Sequence, residues 1–481
     1  MKKLTFLLAA ALFASLAAWG QVRNFTIEGK VTSGGRPVAS VPVTDGTSIT
    51  LTDAAGAYRL ESNSSHRYVY YTLPSGYESV VENSLPEFYK AIPEDAGKVV
   101  RADFELLPAK GDQIRHAFFV WADPQIAFAK EFDLLAKVRD DVVATIDSYH
   151  GKMPFFGISL GDEVFEKPEF YAPYKESIAR IGVPFYQVLG NHDMDFDLRS
   201  DELSDLRYCQ EFGPSHYAFN RGRAHYVVLK DVFYYGYAHK YMGYITEQQL
   251  AWLEQDLKTV KPGSLVIVSL HIPTAFGGSE TPAPDQTLTG SVMNNKALYK
   301  ILAPYNAHIL AGHSHNQWNT VISDSLFEHV HAAASGAWWQ GPLCTDGVPL
   351  GYTVYEVDGD KLTWYFKASG HPRTKQMRLY YAVQDNENPG KIVANVYNYD
   401  PQWKVSWYEN GVRMGSMEQF WGTDPQARRL YPPGATIYKW LKINRTQHLF
   451  RATPHDPSAK IEVEAIDRFG NVYRSSRPPI E

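Results

Sequence analysis

The chain has 481 residues, too many for one ordinary domain, and 44% of them are hydrophobic, so we expect about two to four domains with real cores. Its formal net charge of −6 argues against a surface built to bind nucleic acid or an anionic membrane. The aromatic content of 14% suits many short packed strands or surfaces that bind rings.

Residues 1–20 have the pattern of a secretory signal peptide. Two lysines precede an apolar stretch at residues 4–18, and the sequence AWG at residues 18–20 is a small-x-small cleavage pattern. The apolar stretch is too short to cross a membrane comfortably. The sequence therefore predicts an exported protein, periplasmic or secreted after cleavage, without a stable membrane anchor.

Residues 21–110 have the short alternating runs of an all-β domain. The run FTIEGKVTSGGRPVASVPVTDG is broken by a Gly-Gly turn, and TDAAGAYRLES is a turn that leads into a strand. This pattern resembles the transthyretin-like or carboxypeptidase-regulatory-like β-sandwiches. It contains no cluster of catalytic side chains.

Residues 111–372 change character, because apolar runs now alternate with helical patterns. Residues 131–149 carry apolar side chains at helical spacing. Thr246 and Gln249 fit a capping box ahead of a second predicted helix. The alternation of strands and helices predicts an α/β domain.

Residues 373–481 return to β patterns. KVSWYENGVRM is a strand, an Asn-Gly turn and a second strand, and KIEVEAIDRFGNVYRSS is another hairpin. We therefore expect a C-terminal β-sandwich. Two cysteines, Cys209 and Cys344, leave a disulfide open as a possibility in an exported chain.

Five apolar runs of the middle region end in side chains that can bind metal. They are HAFFVWADPQ with Asp123 and Gln125, MPFFGISLGDEVFE with Asp162, VPFYQVLGNHD with Asn191, His192 and Asp193, SLVIVSLHIP with His271, and AHILAGHSHN with His313 and His315. A parallel sheet places the carboxyl ends of its strands along one edge, so these side chains are predicted to meet in one site. Oxygen and nitrogen ligands without sulfur suit Mn, Zn, Fe or Mg.

The last of these motifs places two histidines one residue apart. Side chains two residues apart on a strand share a face, so His313 and His315 are predicted to point the same way and to serve two adjacent ions. Gly312 before them is expected to allow a tight turn of the backbone.

The order D-x-Q, G-D, G-N-H-D, H and G-H-S-H resembles that of the calcineurin-like metallophosphoesterases. Their pattern is D-x-H, G-D-x-x-D, G-N-H, H and G-H-x-H. The resemblance implies an α/β (α+β) core, a two-sheet β-sandwich flanked by helices, with all-β domains at both ends as in a bacterial exported subgroup. It also implies two divalent metal ions at the ends of the strands.

The resemblance implies a role for each motif residue. Asp123, Gln125 and His315 would bind the first ion, Asn191, His271 and His313 the second, and Asp162 both, with His192 as the general acid. A hydroxide that bridges the ions would attack phosphorus, and His192 would protonate the leaving oxygen.

Two positions depart from the family pattern. Gln125 stands where the family usually has His, and a neutral amide is a weaker ligand, so the first ion is expected to bind less tightly. Phe165 replaces the last Asp of G-D-x-x-D, which often orients the general acid. Glu166 or Asp193 is predicted to take over that task.

These observations predict an exported, metal-dependent hydrolase of phosphate mono- or diesters, whose substrate is a small molecule or is linked to a glycan or lipid. Two alternatives stay open. GISLG fits the G-x-S-x-G pattern of acyl hydrolases, with Ser159 as the nucleophile. A catalytically weak or inactive binding protein on the same fold is the other. Aromatic residues near the motifs would pack in the core or stack on a substrate ring; they are Trp318, Trp338, Trp339, Tyr234 and Tyr235.

Overall fold

The computed structural model describes residues 22–275, 288–381, 385–456 and 458–477. The predicted signal peptide lies outside these residues. No helix within the described ranges combines the length and the apolar character needed to cross a membrane.

The first domain is made of short strands, as its alternating pattern predicts. Its longest strand, Asn24–Ser33, pairs antiparallel with Ala57–Asn63 and parallel with Val99–Arg101. The side chains of Ile27 and Val31 on that strand point into the domain core. The remaining strands are Arg36–Pro37, Pro42–Thr44, Ile49–Leu51, Tyr68–Tyr71, Tyr77–Glu78, Val80–Glu82, Leu85–Glu87, Tyr89–Ala91, Phe104–Glu105 and Leu107–Pro108.

Two mixed β-sheets form the middle domain. In the first sheet the strand order is Phe185–Gln187, Phe155–Ser159, Arg115–Trp121, Gly351–Asp358 and Lys361–Ala368. In the second it is Tyr217–Arg221, Ala224–Val228, Leu265–Ser269, Asn306–Ala311, Leu326–Val330 and Trp318–Ser323. A separate two-stranded ribbon pairs Val232–Tyr234 with Tyr241–Gly243.

The five motif strands do not share the edge of one parallel sheet, and the two-sheet core that the resemblance implies is confirmed. Three of them lie in the first sheet, and Leu265–Ser269 and Asn306–Ala311 lie in the second. The sheets share an apolar core, in which Phe118 and Phe156 pack on Tyr226 with ring centroids 5.5 and 5.2 Å apart. An apolar run indicates a buried strand but does not identify its partner.

Helices pack against the outer faces of this sandwich. Helix Phe132–Ser148 buries apolar residues at three- and four-residue spacing, as predicted. Helix Glu247–Asp256 begins after Thr246, whose side chain accepts a hydrogen bond from the Gln249 backbone N–H. The other helices of the described chain include Tyr171–Ala179, Asp201–Ser204, Leu206–Phe212, Asn295–Leu302 and Pro425–Leu430, with short 3₁₀ turns at Ala129–Glu131, Pro168–Phe170, Asn191–Asp193 and Leu257–Thr259.

The C-terminal domain consists of two four-stranded antiparallel sheets. In the first of these sheets the strand order is Met377–Tyr380, Ile392–Val396, Arg445–Ala452 and Glu418–Thr423. In the second it is Val412–Ser416, Lys404–Glu409, Ile461–Ile466 and Val472–Arg477. Both predicted hairpins are present, since Glu409 pairs with Val412 and Ile466 with Val472. The expected sandwich core contains Val396, Trp407 and Val463, among others. Cys209 and Cys344 are free and buried, so the possible disulfide does not form.

Candidate metal centre

The predicted ligands lie on tight turns that follow the strands. Asp123, Gln125, Asp162, His313 and His315 all have positive φ angles, between 41° and 68°. Left-handed backbone is unfavourable for residues other than glycine, and such residues cluster at functional sites, where the surrounding structure holds them in place.

This geometry corrects the expected placement of the two histidines. Strand Asn306–Ala311 ends before them, so His313 and His315 lie in a left-handed turn and not on one face of a pleated strand. The tight turn expected at Gly312 is present, since its carbonyl accepts a hydrogen bond from the Ser314 backbone N–H at 2.8 Å. A Cβ at this position would lie 2.8 Å from Asp123 Oδ2, so the glycine permits a close approach of the chain to that carboxylate.

Asp123 and His315 form the first cluster, and Gln125, which was predicted to join them, contacts Asp162. His315 Nδ1 donates a hydrogen bond to the Gly336 carbonyl at 2.7 Å, which leaves the lone pair on Nε2, 3.7 Å from Asp123 Oδ1. Within the described chain, His315 Nε2 and Gln125 Oε1 are buried and have no hydrogen-bond partner. Burial raises the pKa of Asp123 well above its usual range. A bound cation would satisfy both unpaired atoms and stabilise the carboxylate.

Asp162, His271 and His313 form the second cluster, and their ligand atoms all lie within 4.8 Å of one another. His271 Nδ1 donates to the Leu160 carbonyl at 2.7 Å, so its Nε2 faces inward. There it meets Asn191 Oδ1 at 3.0 Å and His313 Nδ1 at 3.2 Å.

Electrostatics in the second cluster favour a positive charge at its centre. Burial alone would lower the pKa of His271, but the carboxylates of Asp162, Asp123 and Asp231 together outweigh it and raise that pKa to about 10. For Asp162, burial alone would raise the pKa, but the neighbouring histidines hold that pKa below its usual range. The two clusters therefore contain the donor atoms and the charge that divalent cations require. The Asp162 carboxylate accepts a hydrogen bond from Gln125 Nε2 and lies 3.4 Å from His271 Nε2. That Asp162 contacts both ions stays a prediction.

Asp193 does not contact the ring of His192. Its carboxylate accepts hydrogen bonds from the backbone N–H groups of Gly190, Asp162 and Glu163 at 2.9, 2.7 and 3.0 Å. Asp193 therefore ties together the two turns that carry Asp162 and Asn191. Gly190 allows this approach, because a Cβ there would lie 2.1 Å from the Asp162 nitrogen.

Glu166 and Phe165 are the residues that hold the His192 ring. Glu166 Oε1 lies 3.2 Å from His192 Nδ1, and this hydrogen bond lowers the pKa of Glu166. The Phe165 ring stacks on the imidazole with centroids 4.2 Å apart and planes 22° apart. The His192 backbone N–H donates to Asp162 Oδ1 at 2.8 Å. Of the two predicted orienting residues, the structure places Glu166 against the imidazole.

Ser159 is not placed as a nucleophile. Its side chain is fully buried and accepts a hydrogen bond from Trp121 Nε1 at 3.0 Å. No histidine in the described part of the chain bonds to it. The acyl hydrolase interpretation therefore lacks the base that it requires.

The aromatic residues near the motifs divide into two groups. Trp339 Nε1 donates to the Pro124 carbonyl at 2.8 Å, and Trp318 and Tyr234 are also buried. Trp338 instead stacks on His315, with ring centroids 3.9 Å apart and planes 16° apart. Tyr235 is exposed, so it does not belong to the core.

Three family models match the sequence. "N terminal of Calcineurin-like phosphoesterase" matches residues 25–109, "Calcineurin-like phosphoesterase" matches residues 131–317, and "C terminal of Calcineurin-like phosphoesterase" matches residues 328–473. The chain belongs to the calcineurin-like phosphoesterases. The family predicted from the order of the motifs, the fold class and the hydrolase activity on phosphoesters are thereby confirmed. This calcineurin-like phosphoesterase has no match among curated protein sequences.

Solved structures that match this chain include two phosphatases and a 5'-nucleotidase, by their names. A dimetal phosphatase from Danio rerio is 15% identical over 53% of this chain and 96% of its own, with a TM-score of 0.38. Purple acid phosphatase PPD1 from yellow lupin is 12% identical over 72% of this chain and 67% of its own, with a TM-score of 0.41. A 5'-nucleotidase from Candida albicans is 12% identical over 55% of this chain and 53% of its own, with a TM-score of 0.33.

The domain boundaries drawn from the sequence stay predictions. The C-terminal family model begins at residue 328, inside the predicted 111–372 unit. It includes strands Gly351–Asp358 and Lys361–Ala368, which complete the first sheet of the middle domain.

Proposed function

We propose that this chain is an exported phosphoesterase that uses two divalent ions, Mn, Zn, Fe or Mg, to hydrolyse a phosphate mono- or diester. The observation that carries the proposal is the buried atom His315 Nε2, which has no hydrogen-bond partner and lies 3.7 Å from Asp123 Oδ1. Gln125 Oε1 is also buried without a partner, on a side chain that contacts Asp162. A second cluster, centred on Asp162, adjoins the first.

The donor atoms divide between two ions. Asp123, Gln125 and His315 would hold the first, with Asp162 shared. Asn191, His271 and His313 would complete the second. When bound, the two ions supply positive charge for the phosphoryl oxygens and lower the pKa of a water molecule that can attack phosphorus.

His192 would supply the proton for the departing oxygen. Its side chain is 22% exposed, whereas the side chains of Asp162 and His271 are almost fully buried, so it can reach the substrate. The contacts of its imidazole with Glu166 and Phe165 fix the plane of the ring. Nδ1 faces Glu166, which leaves Nε2 as the atom that gives its proton to the leaving oxygen.

Hydrolysis of bis-p-nitrophenyl phosphate and p-nitrophenyl phosphate tests the activity. The mature protein is stripped with EDTA and resupplied with Mn, Zn, Fe or Mg. We expect turnover to return with at least one metal and to fall at least 100-fold in Asn191→Ala. Asn24→Ala, at an exposed position in the first domain, is the matched control and keeps full activity. Turnover that survives complete chelation would overturn the metal-dependent mechanism, and no turnover with any metal would favour a binding protein.

Export is the second part of the proposal, and it rests on the pattern of residues 1–20. Expression of the full chain in a bacterial host should place the protein outside the cytoplasm. N-terminal sequencing should then begin at Gln21. An uncleaved chain that stays in the cytoplasm would contradict export and leave the chemistry untouched.

A further inference from the structure

Six rings form an unbroken arc from one predicted cluster to the general acid. Each ring contacts the next, and the centroid distances run from 3.9 to 6.0 Å. In order, the members of this aromatic arc are His315, Trp338, Trp440, Tyr438, Phe165 and His192. The arc therefore begins at a predicted ligand of the first ion and ends at the residue predicted to protonate the leaving group.

Two members of the arc, Tyr438 and Trp440, come from the C-terminal domain. Their segment is held on the middle domain at both ends. Tyr431 donates a hydrogen bond to the Leu343 carbonyl at 2.7 Å, and Leu441 lies in the same small apolar core. The C-terminal domain thus brings side chains to the site that the middle domain does not contain.

The rings in the middle of the arc reach the surface, and their own side chains are neutral. Trp440 is 52% exposed, and Trp338, Tyr438 and Phe165 are partly exposed. The one charged residue between the two C-terminal rings, Lys439, donates to the carbonyls of its own segment and does not join the arc. Exposed aromatic rings at the rim of a site are typical of ligand-binding surfaces.

We propose that this aromatic arc binds the organic group of the phosphoester, and that it favours an alcohol that carries a ring over an acyclic one. A phosphate held between the two clusters would project its ester group past His192, whose side chain is 22% exposed. The neutral rings offer π-faces and apolar surface, which suit a nucleobase or the C–H face of a sugar. This inference rests on the proposed function, because it assigns the substrate group that the same site takes.

A comparison of ring-containing and acyclic substrates tests the arc. The ring-containing substrates are a nucleoside 5'-monophosphate and glucose 6-phosphate, and the acyclic one is glycerol 1-phosphate. Stacking on one aromatic side chain changes affinity about tenfold. We expect Trp440→Ala to lower kcat/KM about tenfold for at least one ring-containing substrate and less than twofold for glycerol 1-phosphate.

Two further variants keep this test specific. Trp440→Phe should keep most of the preference for ring-containing substrates over glycerol 1-phosphate, because phenylalanine retains an aromatic face for stacking. Val412→Ala, at a position of the same domain that is 64% exposed, should change neither rate. If the nucleotide alone responds, the arc binds a base, and if the glucose ester alone responds, it binds a sugar. Equal loss on all substrates in Trp440→Ala, or no loss on any ring-containing one, would overturn the proposal.

Binding without turnover separates this proposal from the activity. Should the wild type hydrolyse none of these esters, the proposed function fails, and calorimetric titration with uridine and with methyl glucoside decides the arc independently. Binding that weakens about tenfold in Trp440→Ala supports it. Absence of binding to the wild type contradicts it. Thermal melting of each variant confirms that the fold is intact.

Discussion

Replacing Glu166 with Gln tests how the protein controls its general acid. A hydrogen bond to a charged group contributes about 1.5–3 kcal/mol when it is shielded from water. The side chain of Glu166 is 36% exposed, so we discount its contact with His192 to about 1 kcal/mol. This corresponds to about a fivefold change in rate.

The effect should depend on the leaving group, and that dependence is what the assay measures. An alkyl alkoxide needs a proton in order to leave, whereas p-nitrophenolate does not. We expect Glu166→Gln to lower kcat about fivefold for an alkyl phosphoester and less than twofold for p-nitrophenyl phosphate. Glu169→Gln, three residues further along the chain and exposed, is the matched control and should change neither rate.

Equal losses with both leaving groups would refute this reasoning, because they would assign Glu166 a general structural role. A loss that depends on the leaving group in Asp193→Asn, with none in Glu166→Gln, would also refute it. Asp193 holds the turns of the site through backbone N–H groups. Its replacement should therefore reduce thermal stability and both rates together.

Three other predictions concern the metal, the packing and the pH. Gln125→His adds an imidazole nitrogen, so the first ion should withstand about tenfold more chelator, as measured by mass spectrometry of bound metal. Gly190→Ala forces a Cβ to within 2.1 Å of a backbone nitrogen, and chemical denaturation should show a loss of about 1–3 kcal/mol. Burial lowers the pKa of His308 to about 3 and of His331 to about 4. Below pH 6.5 the unfolded chain then binds more protons than the folded chain. As the pH is lowered, the free energy of unfolding should therefore decrease by up to about 1.4 kcal/mol per pH unit for each histidine.

Each of these predictions has a result that contradicts it. Unchanged retention of metal in Gln125→His would mean that this side chain is not a ligand. A Cβ at Gly97 would have no atom within 4 Å, so Gly97→Ala should leave the free energy of unfolding unchanged. If Gly97→Ala lost as much stability as Gly190→Ala, the cause would be a general effect of replacing glycine with alanine. Stability that is flat between pH 6.5 and 4 in both the wild type and His308→Gln would show that the buried histidines do not control acid unfolding.

The strands that carry the motif residues were predictable from local signals. Apolar runs of five to seven residues ending in Asp, Asn or His mark buried strands that stop at a polar edge, and each of these strands is present. The division between two sheets was not predictable, because pairing depends on partners far along the chain. The positive φ angles of His313 and His315 could not be predicted from the sequence either, because histidine usually adopts other backbone conformations.

Contacts between distant segments were the hardest to predict. Glu166 and Asp193 are both acidic and both close to the motifs, and only the fold decides which of them meets His192. The contact of Trp440 with Trp338 could not be predicted from the sequence, because it depends on how the C-terminal domain packs. Packing of separate domains leaves little trace in a single sequence.

The number of ions bound per chain tests the central claim most directly. The stripped protein is loaded with Mn or Zn, passed through gel filtration and analysed by mass spectrometry of the metal. We predict two ions per chain in the wild type and fewer than one in Asp162→Asn, because that carboxylate lies between both clusters. One ion or none in the wild type, or two ions in Asp162→Asn, would contradict the account.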